Sequence, residues 1–111
     1  MTDRLDRLFG ALADPTRRFM VESLLREGVA TVPALAQGLP ISRQAVAKHL
    51  ATLDEAGLVE RIPGAGRAVR YRLRDDALAP ASSWLRDAEA AWDGRLARLK
   101  LTVEDAARRD A

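Results

Sequence analysis

The sequence predicts a mainly helical domain in which one β-hairpin separates four short helices from a long last one. Three observations carry that expectation. Apolar residues make up 48% of the chain with only 5% aromatic, and Ala and Leu dominate them, which favours helices over an extensive sheet. Apolar positions recur at helical spacing along most of the chain, and the period falls to two only between Leu58 and Arg74. Proline, glycine and small polar residues stand at the points that divide these stretches. At 111 residues a single domain, 1–111, is expected, because smaller pieces would bury too little surface.

Leu5, Leu8, Phe9 and Leu12 fall at i, i+3, i+4 and i+7 opposite charged residues, so the chain opens with an amphipathic helix over 1–13. Asp14-Pro15 ends it and starts a second: the residue before proline avoids helical angles, Asp14 can cap, and Pro15 suits a first turn. That helix runs to about Glu27, burying Phe19 or Met20, Leu24 and Leu25, and Gly28 stops it. Thr31 can cap a third helix with Pro33 in its first turn and Leu35, Ala36 and Leu39 inward. After a tight break at Gly38 to Pro40, Ser42 caps a fourth helix with Val46, Leu50 and Leu53 buried, until Gly57.

Leu58 to Ile62 and Ala68 to Leu73 then read as strands joined at Pro63 to Gly66. In the second, Val69, Tyr71 and Leu73 alternate with Arg70, Arg72 and Arg74, which gives the hairpin one apolar and one cationic face. From Asp76 to Leu101 a long helix returns. Leu78, Leu85, Trp92 and Leu99 are spaced by seven, with Ala88 and Leu96 on the same side and Pro80 able to delay the start. The tail from Thr102 extends that helix or frays.

The absence of cysteine excludes disulfides, thiolate metal sites and cysteine nucleophiles. The lone histidine, His49, cannot form a histidine pair and reads as a packed or hydrogen-bonded side chain. No phosphate loop or nucleophile–base pair is visible, and Gly64 to Arg67 lacks the pattern a phosphate cradle needs, so neither an enzyme nor a bound cofactor or metal is expected. A charged opening and no apolar run of about 20 residues point to a cytoplasmic protein without a membrane partner. Net charge is only +2, from 18 basic and 16 acidic residues. Its distribution matters more: five arginines (61, 67, 70, 72 and 74) and no acid lie between Arg61 and Arg74.

The order α-α-α-α-β-β-α is that of a winged helix-turn-helix, with the paired helices at 32–56 and the wing at 58–74; its second paired helix enters the DNA major groove. With Val46, Leu50 and Leu53 inward, Ser42, Arg43, Gln44, Ala47 and Lys48 face outward. Arg43 can donate two bonds to guanine, Gln44 can pair with adenine, and Ala47 can meet a thymine methyl, while Ser42 and Lys48 suit phosphates. Arg61, Arg67, Arg70 and Arg72 on the wing would touch phosphates or a minor groove, with Arg74 a weaker candidate. The plainer reading of the wing is an edge hairpin kept soluble by arginine.

The terminal helices each carry a stripe without an obvious place in so small a core. A homodimer interface formed by Leu5, Leu8, Phe9 and Leu12 at 1–13 and by Trp84, Leu85, Ala88, Trp92, Leu96 and Leu99 at 76–101 accounts for both. The alternative is a protein-binding module that grips another regulator through its tryptophan-bearing helix.

Phe9-Gly-Ala-Leu-Ala-Asp-Pro-Thr-Arg-Arg18, Ile41-Ser-Arg-Gln-Ala-Val-Ala-Lys-His-Leu50, Leu53-Asp-Glu-Ala-Gly-Leu-Val59, and Gly66-Arg67 with Tyr71-Arg-Leu73 together resemble the ArsR family of bacterial winged-helix repressors over nearly the whole chain. The resemblance implies a homodimer on the terminal helices that binds double-stranded DNA at a pseudo-palindromic operator and represses transcription. Many members release DNA on binding a metal. The cysteine motif of the third helix is absent between Val32 and Gly38, and the last helix has no histidine. The resemblance therefore points to a metal-independent subgroup and leaves the effector unknown.

Overall fold

The computed structural model describes residues 2–63, 66 and 68–110. In chain order the elements are α1 (Thr2–Ala13), α2 (Pro15–Glu27), β1 (Val29–Thr31), α3 (Val32–Gln37), α4 (Arg43–Glu55), β2 (Val59–Ile62), β3 (Arg70–Leu73) and α5 (Ala79–Asp110). They form two compact units, Met1–Pro80 and Ala81–Ala111, the second consisting of most of α5.

The boundaries follow the capping chemistry. Asp14 precedes α2 in extended geometry, and its Oδ1 accepts the backbone N–H groups of Thr16 at 2.8 Å and Arg17 at 3.2 Å. Gly28, at φ 81°, donates its N–H to the Leu24 carbonyl at 2.8 Å and closes the other end. The end of α1 is satisfied less locally. Arg17 donates through Nε to the Ala11 carbonyl at 2.8 Å and through Nη2 to that of Gly10 at 3.2 Å; Arg18 Nη1 reaches the carbonyls of Leu12 and Ala13 at 2.7 and 3.0 Å. Two arginines from the next helix thus occupy carbonyls that a helix end leaves unpaired.

Leu8 and Ala11 from α1, Met20, Val21 and Leu24 from α2, Leu35 from α3, Val46, Leu50 and Leu53 from α4, and Leu58 and Val59 form the core of the first unit. This corrects two expectations. Leu8 is only 1% exposed, so it belongs to the core of the chain and not to the expected interface; α1 packs that side against α2 and α4. Leu5 and Leu12 are half-buried, and Phe9 is 39% exposed. On α2 it is Met20 that is buried; Phe19 stays 36% and Leu25 59% exposed, because the buried arc of α2 is centred on Met20, Val21 and Leu24.

The sheet also differs from expectation. The hairpin partners β2 and β3 are joined by β1, antiparallel to β3, and the order β1-β3-β2 makes β3 the central strand. Three residues are too few to show a period, and Val29 to Thr31 become a strand only because β3 offers them an open edge. The helical order is therefore interrupted by a strand before α3, and the wing's arginine strand is not an edge. α5 starts at Ala79, with Pro80 in its first turn, and continues through the tail to Asp110.

Candidate DNA-binding face

Thr31 Oγ1 accepts the N–H of Ala34 at 3.2 Å and caps α3. The chain then turns at Gly38, where a Cβ would lie 3.3 Å from the Phe19 ring, close enough that the ring would have to give by a few tenths of an ångström. Ser42 caps α4, its Oγ accepting the N–H of Ala45 at 3.1 Å. With Val46, Leu50 and Leu53 all at 1% exposure or less, the rotation of α4 about its axis is set, and Ser42, Arg43, Gln44, Ala47 and Lys48 are all exposed. The side chains of Arg43, Gln44 and Lys48 make no hydrogen bond or ion pair among the described residues. Arg43 and Gln44 lie in the first turn of α4, where the helix dipole is positive.

The wing brings its arginines together less completely. Arg70 and Arg72 are exposed on β3 while Tyr71 and Leu73 between them are half-buried, in keeping with a period of two. The register pairs Arg61 with Tyr71 and Glu60 with Arg72. Arg61 therefore projects from the face opposite Arg70 and Arg72, though it remains exposed. Glu60, just outside the acid-free run, captures Arg72 at 2.8 Å and lies 4.0 Å from Arg74, which also approaches Asp76 at 3.5 Å. Asp76 in turn pairs with Arg4 of α1 at 3.0 Å, and that hydrogen bond holds its carboxyl below the usual aspartate range. Arg67 lies outside the described residues.

Residues not anticipated as part of a site line the flank of α4. Arg17 Nη1 is 3.4 Å from His49 Nδ1 and 3.7 Å from Asp14 Oδ2. Arg17, Ala45, Lys48, His49 and Thr52 line an open surface cavity of about 270 Å³. The hydrogen-bonded role expected of His49 is thus met, by a partner 32 positions earlier. Such a pair leaves no local sequence signal beyond a basic residue in the first turn after a cap.

Within the second unit, α5 exposes Leu85, Trp92, Leu96, Leu99 and Val103 by between 44% and 60%. At about 100° per residue these fall within one arc, whereas Trp84, 50% exposed, sits at its margin and Leu101 on the far side.

A helix-turn-helix domain family model matches residues 12–62, from the end of α1 through β2. HTH-type transcriptional regulator Rv2034 of Mycobacterium tuberculosis is 47% identical over 74 residues, covering 67% of this chain and 67% of its own. The solved ArsR-like transcriptional regulator from Rhodococcus sp. RHA1 is 40% identical, with a TM-score of 0.77 over 92% of each chain. The chain belongs to the ArsR family. A further relative, HTH-type transcriptional regulator YuzN of Bacillus subtilis, is 40% identical over 65 residues, 53% of this chain and 71% of its own.

The ArsR assignment agrees with the mainly α winged helix-turn-helix expected from the residues, and it makes the protein a DNA-binding transcriptional regulator, not an enzyme. Among the described residues no three His, Cys, Asp or Glu side chains gather as a metal site, and no helix is long and apolar enough to cross a membrane.

Proposed function

We propose that this ArsR-family protein is a homodimeric, metal-independent repressor that reads a pseudo-palindromic operator. The observation that carries the reading is the row of exposed polar side chains on the first half of α4, of which Arg43, Gln44 and Lys48 are unpaired among the described residues. Arg43 and Gln44 read base edges, Ala47 meets a thymine methyl, and Ser42 and Lys48 hold phosphates. Arg70 and, when released from Glu60, Arg72 add sequence-independent contacts from one face of the wing, and Arg61 from the other. Two copies pair chiefly through the apolar arc of α5, with Trp84 at its rim and Ala88 within it; Phe9, Leu5 and Leu12 contribute from α1. Independence from metal is supported by the absence of cysteine and the single histidine.

Selection of bound fragments from the source genome tests the reading, together with sedimentation of the free protein. A dimer presents two reading helices about 34 Å apart, one turn of DNA, so a two-fold site should bind far better than a half-site. Affinity should fall steeply with salt. A monomer indifferent to every duplex at low ionic strength ends the proposal. If that protein instead captured another regulator, and Trp84→Ala or Trp92→Ala abolished the capture, the interaction-module reading would replace it.

A further inference from the structure

The flank of α4 carries a second polar cluster whose geometry is fixed before any ligand arrives. Arg17 is held by two carbonyls of α1, so the Nη1 it turns toward α4 is placed by the backbone of another helix. A guanidinium can only donate. His49 Nδ1, 3.4 Å away, is therefore the acceptor, and the ring proton of neutral His49 must sit on Nε2. His49, Lys48 and Thr52 all line the cavity, and each then carries a donor: the ring Nε2–H, the ammonium and the hydroxyl.

We propose that this cavity seats one phosphate of the DNA backbone, with His49 Nε2, Lys48 Nζ and Thr52 Oγ1 as donors and Arg17 as the residue that positions the ring. Ala45, Lys48, His49 and Thr52 stand at spacings of three, four and seven. They line α4 between its reading face at Arg43, Gln44 and Ala47 and its buried stripe. A helix lying in the major groove points its outer face at the bases and its flanks at the sugar-phosphate walls. The ligand class follows from charge. Among the described residues no carboxylate lines the cavity; Asp14, the ion-pair partner of Arg17, has Oδ1 engaged by backbone N–H groups and Oδ2 3.7 Å from Arg17, so those two charges offset and Lys48 leaves the cavity positive. Thr52 Oγ1 now donates to the Lys48 carbonyl at 3.4 Å, a long bond that a closer phosphate oxygen can replace.

The proposal rests on the DNA-binding reading, and its tests separate the two. His49 is the only histidine, so ring ¹⁵N shifts of the free protein report its tautomer without ambiguity. Protonation of Nε2 with bare Nδ1 is expected; the opposite tautomer overturns the proposal.

For binding, the probe is the duplex that the wild-type protein selects from fragmented genomic DNA. His49→Asn keeps an acceptor near Nδ1 and lacks the Nε2 donor; it should weaken binding by about fivefold to tenfold on all sequences alike. His49→Gln, which carries an amide N–H near Nε2, should recover part of that loss. Neutral methylphosphonates placed one at a time along the duplex should reveal one phosphate per half-site whose substitution harms the wild type more than His49→Asn, which keeps only the Lys48 and Thr52 donors there. Should His49→Asn fail to fold, Thr52→Val replaces it in the same comparison. Tight wild-type binding with additive losses at every phosphate overturns this inference alone, whereas a wild-type protein that retains no duplex at low salt overturns the DNA-binding reading with it.

Discussion

The first half of α4 and the β2–β3 hairpin carry similar polar residues, yet the two surfaces hold them in different states. On α4, Arg43, Gln44 and Lys48 are exposed and unpaired among the described residues; on the hairpin, Arg72 is tied to Glu60 at 2.8 Å and Arg74 is shared between Glu60 and Asp76. Secondary structure explains the difference. Neighbours on a helix face are three or four positions away in sequence, and between Ser42 and Leu53 there is no acid to meet a base. In a sheet the nearest neighbour lies across the ladder, about 4.5–5.5 Å away, and comes from a different part of the sequence. An acid-free run of residues is thus an acid-free surface on a helix, but not on a strand.

Five experiments sharpen or break that contrast. The largest effect should come from the buried side of α4: Leu50→Ala should cost about 2–5 kcal/mol in denaturant unfolding. A loss below about 1 kcal/mol would mean that α4 is not anchored as described and that its outer face is not fixed. Next, Arg43→Ala should cost about 1–3 kcal/mol of DNA affinity and relax preference at one base pair, whereas Arg70→Ala should weaken all duplexes alike and lower the salt slope by about one. Competition among duplexes with single base changes distinguishes these patterns, and identical profiles for both variants would erase the distinction drawn between helix and wing.

Third, Ser42→Ala should lower stability by about 1 kcal/mol through loss of the cap, and Ser42→Gly by only a few tenths. Fourth, Glu60→Gln should release Arg72: DNA binding should tighten by about 0.2–1 kcal/mol and become more salt-dependent. Unchanged affinity would place Arg72 away from DNA. The smallest effect concerns acid. Backbone hydrogen bonding from Arg17, partly opposed by desolvation and aided by Thr16, holds the Asp14 carboxyl below its ordinary 3.8. A depressed native value means that the cap's contribution is complete above the unfolded value and is lost as pH falls from about 3.8 through the native one. Asp14→Asn should flatten that limb of a stability-against-pH curve; an unaltered limb would show that the cap does not titrate in folding.

Most of the helical fold was legible because its signals are local. Asp14-Pro15, Thr31, Ser42, Gly28 and Gly57 act within four residues of themselves, and the stripe Val46, Leu50 and Leu53 follows from the helical repeat. The exposure of Ser42, Arg43, Gln44, Ala47 and Lys48 was readable for the same reason: a buried stripe dictates the face opposite. The family was legible too, since the quoted segments occur together in one order. β1, the burial of Leu8, the side on which Arg61 emerges and the capture of Arg72 were not. Each depends on which strand or helix lies alongside, and residues far apart in the chain supply that neighbour.

The sequence by itself determined where α1 to α4 begin and end, which way α4 is rotated and what its reading half presents to solvent. Those outcomes follow from hydrogen bonds and apolar contacts within a few residues, whose geometry the backbone repeat already sets. Tertiary structure alone decided that Arg17 would hold His49 by Nδ1 and that Glu60 would hold Arg72, turning one cation into a positioning group and quenching another. A charge has a function only relative to the groups within a few ångströms of it, and those distances exist only once the chain has folded.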